Sequence, residues 1–204
     1  MIAIPASARS LYMHAVHLGV GGSYGAFPQG RIDNNDTLDD AEFSSSSLAG
    51  VRGIVAIKIA SGRHPFFGIG LTYRAARGNI ELDYDIQEDT SENDVWLNNT
   101  GIEMFFGWHF LRGKIRPFAY GGMGYAFSRI RVKLKNGEEH SLNGQNLPFF
   151  VAGGLDYMLQ DRISIGGQLR GEYLYNLIQY GTGSVEIRAD SYNVAAIIHV
   201  GIHF

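Results

Sequence analysis

Apolar residues recur at every second position along most of the chain. The C-terminal stretch SYNVAAIIHVGIHF shows this most clearly, with Tyr192, Val194, Ile198, Val200 and Ile202 on one face. Successive side chains of a β-strand point to opposite faces, so period-two alternation predicts strands. Seven further segments show the same alternation: LYMHAVHLGVGGSYGAF, GVRGIVAIKIA, FFGIGLTYRA, VWLNNTGIEMFFGWHF, PFAYGGMGYAF, PFFVAGGLDYML and ISIGGQLRGEYLYNL. The pattern therefore predicts about eight strands.

Charged residues fall on the faces opposite the apolar rows. They are Arg52, Lys58, Arg74, Glu103, Asp156, Arg170 and Glu172. A water-soluble barrel with charges inside would expose Trp, Phe and Ile on nearly every strand, whereas a transmembrane barrel is apolar outside and polar inside. Unpaired charges in a narrow lumen carry a large desolvation cost. We therefore expect the three arginines to pair with the three carboxylates inside a membrane-spanning barrel.

The connections between the predicted strands alternate between short and long. SGRHP, LRGKIRP and LQDR are short, whereas the segments around 27–50, 77–94, 133–147 and 179–190 are long and polar. Short periplasmic turns and long extracellular loops are typical of outer-membrane barrels. The predicted fold is all-β: an eight-stranded, antiparallel, up-and-down transmembrane β-barrel formed by one domain, residues 11–204. Residues 1–10 are expected to be the remnant of a signal peptide or an N-terminal tail, since Ala6-Ser7-Ala8 resembles a cleavage site.

Composition narrows the class further. The 27 Gly, 12 Phe and 11 Tyr favour an all-β protein with close backbone approaches and many exposed rings. The net charge of −3 and the lack of a recognition motif argue against nucleic acid as a partner. The chain has no Cys, which excludes disulfides and cysteine-ligated metals. No apolar run approaches the roughly 18–20 residues of a spanning helix, which excludes a helical inner-membrane protein.

Three stretches carry a family resemblance: PFAYGGMGYAF, GGLDYMLQDRISIGGQLRGEY and IIHVGIHF. With them the chain resembles, over nearly its whole length, the small eight-stranded outer-membrane barrels of the OmpA, OmpX, OmpW and opacity-protein type. The resemblance implies an outer-membrane location in a Gram-negative-type bacterium. It also implies outer-membrane lipid, lipopolysaccharide, periplasmic chaperones and the barrel-assembly machinery as partners. Finally, it implies an assembly signal at the C-terminus, formed by Phe204, Ile202, Val200 and Ile198.

The alternation also predicts two features of the outward-facing surface of the barrel. Trp96 and Trp108 share a face twelve residues apart, roughly 30 Å of height on a tilted strand, so they could mark the two aromatic girdles. In SRIRVKLK, the residues Arg129, Arg131 and Lys133 would face outward at the outer leaflet, where they could contact lipopolysaccharide phosphates. A β-bulge near Ser128 would reverse this phase and turn the three bases towards the lumen mouth or a partner strand.

The expected function is non-enzymatic: surface interaction or adhesion to a host or surface ligand, envelope stabilisation, or passage of small solutes. The alternative is a lipid-modifying enzyme of the lipid A deacylase or phospholipase type. We predict no catalytic residue, cofactor or metal. His199 and His203 share a face but lie about 13 Å apart along a strand, too far to bind one ion. The acidic segment DNNDTLDDAE lacks the Gly and Glu of an EF-hand loop.

Overall fold

The computed structural model describes residues 12–26, 30–34, 41–61, 65–84, 87–111, 113–133, 137, 139–180 and 185–204. Residues 1–10 and residues 35–40 of the acidic segment lie outside these ranges. Within them the chain forms ten strands: β1 Tyr12–Ala26, β2 Gly30–Asn34, β3 Ala41–Ser61, β4 Pro65–Tyr84, β5 Gln87–His109, β6 Ile115–Lys133, β7 Glu139–Gln160, β8 Ile163–Tyr180, β9 Val185–Ala189 and β10 Ser191–His203. No helix among the described residues is long and apolar enough to cross a membrane.

Eight of the described strands close into one antiparallel barrel. The order around it is β1-β3-β4-β5-β6-β7-β8-β10, and the pairing of the last strand, β10, with β1 closes the ring. The short strands β2 and β9 pair with each other, and β2 extends the pairing of β3 beyond the barrel. The predicted fold class is confirmed.

The phase of the strands follows the apolar rows. In β10 buried and exposed residues alternate without interruption over all thirteen positions. Outward apolar side chains are strongly exposed, for example Ile198 at 69% and Phe106 at 61%. Because a soluble protein would have to present this surface to water, the exposed belt fits a lipid environment.

The strands extend further than the alternation predicted. Much of 77–94, which we expected to be an extracellular loop, belongs to β4 and β5, which end at Tyr84 and begin at Gln87. Similarly, β7 begins at Glu139 within the expected loop 133–147. Beyond the bilayer both faces of a strand can meet water, so these extensions need no apolar row. A period-two search therefore cannot detect them.

Aromatic rings fill the middle of the barrel. Phe66, Phe105, Phe118, Tyr120 and Phe150 are all at most 6% exposed. Neighbouring rings of this group have centroids 5.0 to 6.3 Å apart, from Phe105 and Tyr120 at 5.0 Å to Phe66 and Phe105 at 6.3 Å. Tyr120 also donates a 2.9 Å hydrogen bond to Gln168 Oε1. An eight-stranded barrel is about filled by its own side chains, and this one follows that rule.

Candidate functional site

Four buried side chains form what we call the ion-pair layer: Arg52, Glu103, Arg170 and Glu172. Arg170 Nη1 and Nη2 donate to the two oxygens of Glu103 at 2.9 and 2.7 Å, and Nη2 also donates to Glu172 Oε1 at 3.1 Å. Arg52 donates to both oxygens of Glu172. The strands β3, β5 and β8 are thereby joined across the lumen by charge-assisted, bidentate contacts.

Arg74 is inward but lies outside this pairing. It is 3% exposed, and its Nε, Nη1 and Nη2 have no hydrogen-bond partner among the described residues. The expected pairing with a carboxylate is not formed, because Glu103 and Glu172 already bind Arg52 and Arg170. The third acid, Asp156, lies near the other end of the barrel.

Lys58 makes no ion pair with the side chains that the structure describes. Its ammonium group lies over the rings of Phe118 at 4.7 Å and Phe66 at 5.2 Å, measured to the ring centroids. Cation–π contacts of this kind stabilise a buried cation where carboxylates are engaged elsewhere. Lys58 therefore belongs to the aromatic core.

Histidines surround Asp156 near the periplasmic end of the lumen, in what we call the histidine cluster: His17, His109, Asp156, His199 and His203. His199 Nε2 and Asp156 Oδ1 lie 2.5 Å apart, and His109 Nε2 lies 3.8 Å from Asp156 Oδ2. The His17 ring lies 5.3 Å from that of His199 and 5.8 Å from that of His203. One ligand atom each from His17, Asp156 and His199 lie within 4.8 Å of one another, and all three residues are buried.

Two glycines make room for the histidine cluster. A Cβ atom on Gly166 would lie 2.5 Å from His199 Nε2 and 2.6 Å from Asp156 Oδ1. One on Gly201 would lie 2.9 Å from His17 Cε1 and 2.5 Å from Ser164 Oγ. Because contacts this short are not tolerated by a real side chain, the absence of a side chain at both positions allows the cluster to assemble.

One serine and one histidine lie within hydrogen-bond distance at this end of the barrel. Ser164 Oγ is 2.9 Å from His203 Nε2. Ser164 is 0% exposed, and His203 Nδ1 has no partner among the described residues to orient the ring. A nucleophilic triad needs both an accessible hydroxyl and a third, orienting group. The pair is therefore not arranged as a hydrolase site.

Outward basic and aromatic side chains of β4, β5 and β6 lie together at the level where β6 ends on the extracellular side. We call Arg77, Trp96, Arg129, Arg131 and Lys133 the basic patch. Arg77 is opposite Trp96, which is opposite Arg131, so the three form one row across adjacent strands. The Arg77 guanidinium lies 5.1 Å from the centroid of the Trp96 ring. The pairing of β5 with β6 is continuous from the pair Asp94–Lys133 to the pair His109–Phe118, without a bulge at Ser128. The three bases of β6 therefore face outward.

The patch also contains acidic partners. Arg131 Nε lies 3.1 Å from Glu139, and Arg77 Nη2 lies 3.4 Å from Asp94. Arg129 Nε donates to Ser141 Oγ at 3.1 Å. Four bases thus meet two acids among the side chains that the structure describes here, which leaves an excess of positive charge.

The remaining predicted positions lie on the outer surface. Trp96 and Trp108 are on the outward face of β5, Trp96 near the middle of the strand and Trp108 near its C-terminal end, with Trp108 44% exposed. The four residues of the expected assembly signal are all outward, and Phe204 is 75% exposed. They are Ile198, Val200, Ile202 and Phe204.

Reasoning from the sequence missed the histidine cluster. Alternation puts His199 and His203 on one face of β10 and His17 on the inward face of β1, but a distance along one strand gives no contact between strands. Closure of the barrel brings Gly19 of β1 opposite His199 of β10, which sets His17 beside the His199 ring. Pairing the first and last predicted strands would have provided this signal.

The fold and lumen define a transmembrane β-barrel. The chain matches the family model described as "Outer membrane protein beta-barrel domain" over residues 1–204, so it belongs to this family of outer-membrane proteins. A comparison with curated proteins found no match.

Solved structures with a similar fold are also outer-membrane proteins. OprG from Pseudomonas aeruginosa is 13% identical with a TM-score of 0.50, and the match covers 93% of this chain and 95% of OprG. The outer membrane protease OmpT from Escherichia coli is 7% identical with a TM-score of 0.48, and the match covers 100% of this chain and 99% of OmpT. Neisserial surface protein A is 12% identical with a TM-score of 0.44, and the match covers 92% of this chain and 97% of that protein. At these identities the likeness concerns the fold alone.

Proposed function

We propose that this outer-membrane barrel is a non-enzymatic envelope protein that binds lipopolysaccharide phosphates through the basic patch. The observation that carries the proposal is the outward row of Arg77, Trp96 and Arg131, flanked on β6 by Arg129 and Lys133. Binding at several points on a rigid wall would fix lipopolysaccharide to the protein and stabilise the outer leaflet.

The chemistry of the patch suits an anionic lipid head group. Guanidinium groups bind phosphate oxygens in a bidentate manner, and Trp prefers the membrane interface. The Arg77 and Arg131 side chains are 63% and 48% exposed, so their partners Asp94 and Glu139 leave them accessible. Exposed ion pairs of this kind contribute about 0–1 kcal/mol, so a phosphate can replace them at little cost.

The lumen supports this proposal over solute passage and over catalysis. The ion-pair layer and the aromatic core occupy successive levels of the barrel with buried side chains. The Ser164–His203 pair is enclosed and lacks an orienting group among the described residues. Adhesion through the extracellular loops rests on segments that include residues outside the described ranges.

The test is charge reversal of β6 with a matched control. In Arg129→Glu/Arg131→Glu/Lys133→Glu, we expect the lipopolysaccharide that co-purifies per barrel to fall several-fold, measured as phosphate and as 3-deoxy-sugar content. The control reverses Lys114 and Arg162, which are exposed in the short turns at the opposite end of the barrel. It should retain the wild-type amount.

Unchanged lipopolysaccharide in a folded triple variant would contradict the proposal. An equal loss in the control would indicate a general effect of charge and would contradict it as well. Turnover of lipid A or phospholipid by the purified wild-type barrel in detergent would instead support the lipid-modifying alternative.

A further inference from the structure

We propose that the histidine cluster binds a divalent transition-metal ion, with His17, Asp156 and His199 as its ligands. These residues come from β1, β7 and β10, and β1 and β10 are the strands whose pairing closes the barrel. The ion would therefore join the two sides of the closing seam to a third strand.

The ligand atoms fit such an ion in kind and in distance. Two imidazoles and one carboxylate are nitrogen and oxygen ligands that suit Zn²⁺ and its neighbours in the first transition row. Ligands about 2.0–2.2 Å from Zn²⁺ in tetrahedral geometry lie about 3.3–3.6 Å from one another. The three ligand atoms lie within 4.8 Å of one another. His199 Nε2 and Asp156 Oδ1, which are 2.5 Å apart, would separate by about 1 Å as the ion replaces the proton between them.

The surroundings hold the ligands in place. His17, Asp156 and His199 are 4%, 2% and 6% exposed, and they project from paired strands of a closed barrel. Gly166 lies next to both His199 and Asp156 and has no side chain that would displace them. His109 lies beside the other oxygen of Asp156, in the position of an outer partner that orients a ligating carboxylate.

The cluster also offers an access route. The His109 side chain is 21% exposed at the periplasmic end of β5, so the site is next to the mouth of the lumen. His203 pairs with Ser164 and lies four residues from His199 along β10, too far to share its ion, so a water molecule entering by this route would supply the fourth ligand.

Lys58 opposes metal binding and gives the proposal a distinctive test. Its positive charge acts on both His17 and Asp156. A cation bound between these ligands would be repelled by the ammonium group. Replacing Lys58 by Met should therefore tighten metal binding by several-fold, whereas a lysine with a purely structural role would give no such gain.

The experiment uses the folded full-length barrel in detergent, treated with EDTA and then freed of it. Titration with Co²⁺ should give one set of visible absorption bands at a stoichiometry of one per chain, and Zn²⁺ should displace it. His199→Gln and, separately, His17→Gln should each lower the Co²⁺ affinity more than about 100-fold. His109→Gln, which removes the outer partner, should lower it about 10–100-fold.

The control variant is His140→Gln, at the opposite end of β7 from Asp156, and it should bind Co²⁺ as the wild type does. Folding of each variant is checked by heat-modifiable migration. Absence of stoichiometric Co²⁺ binding to the wild type would overturn the proposal. Binding that survives both His17→Gln and His199→Gln, or that is lost in His140→Gln, would overturn it too. Unchanged or weaker binding in Lys58→Met would contradict the placement of the ion.

Discussion

The ion-pair layer and the histidine cluster both bury carboxylates, but with different partners. In the layer, Glu103 and Glu172 are bound by Arg52 and Arg170, which are charged at every physiological pH. In the cluster, Asp156 contacts His199 and His109, whose imidazoles are also common metal ligands. The barrel therefore has one region with permanent cross-links and a second whose side chains can also bind an ion.

The geometry of the contacts follows the same division. Arg170 holds Glu103 through two parallel hydrogen bonds, whereas Asp156 Oδ2 is 3.8 Å from His109. Guanidinium groups match a carboxylate with a planar fork, and imidazoles donate one hydrogen bond at a time. We therefore expect the layer to contribute more to stability, and the cluster to respond more to ions.

The largest effect is expected for Glu103→Gln. This change leaves Arg170, which is 1% exposed, without its bidentate partner, and breaking a buried pair costs about 3–5 kcal/mol. The measurement is the free energy of unfolding in urea, with the barrel in lipid vesicles and Trp96 and Trp108 as fluorescent reporters.

A matched control for Glu103→Gln is Glu139→Gln on the outer surface. Glu139 pairs with Arg131 but is 51% exposed, so its removal should change the free energy of unfolding by about 0–1 kcal/mol. If the two variants lost equal stability, the ion-pair layer would not be the stabilising region that its geometry indicates.

A smaller loss is expected for Asp156→Asn in metal-free buffer. The amide keeps the shape of the carboxylate and an oxygen that still accepts a hydrogen bond, so about 1–3 kcal/mol should be lost. Urea unfolding in the presence of EDTA measures this effect. A loss as large as that of Glu103→Gln would mean that the two carboxylates contribute equally to stability, which would remove the contrast between the two regions.

Most of the barrel was predictable because lipid imposes a strict rule on each strand. Outward positions such as Ile102, Met104 and Phe106 must be apolar, and the inward charges then follow from the alternation. The outward phase of Arg129 through Lys133 was predicted by continuing the same row. The strand extensions were not predictable in this way, since water on both sides removes the rule.

The choice of partners within the lumen was harder to predict. Alternation shows that Arg74 and Asp156 are both inward, but not that they lie at different heights or that Arg52 and Arg170 engage both glutamates. Those facts depend on the register of non-neighbouring strands, such as β3 with β8, which face each other across the lumen without pairing. Local sequence patterns do not carry this information.

The smallest effect is expected for Arg74→Met, which compares a buried arginine outside the ion-pair layer with the arginines inside it. Arg74 is as deeply buried as Arg52, yet its guanidinium nitrogens have no partner among the described residues. Removing it relieves the cost of burying an unpaired charge but loses the attraction of Glu172. The two terms oppose each other, so the free energy of unfolding should change by at most about 1 kcal/mol in either direction.

Arg170→Met is the matched comparison for Arg74→Met, because the same replacement there leaves Glu103 buried without its partner. The urea midpoint of Arg170→Met should fall well below that of Arg74→Met in the same vesicles. A large loss in Arg74→Met would show that its guanidinium binds a group that stabilises the folded barrel, such as an anion held in the lumen. Arg74 would then be a functional part of the interior, and the ion-pair layer would have to include it.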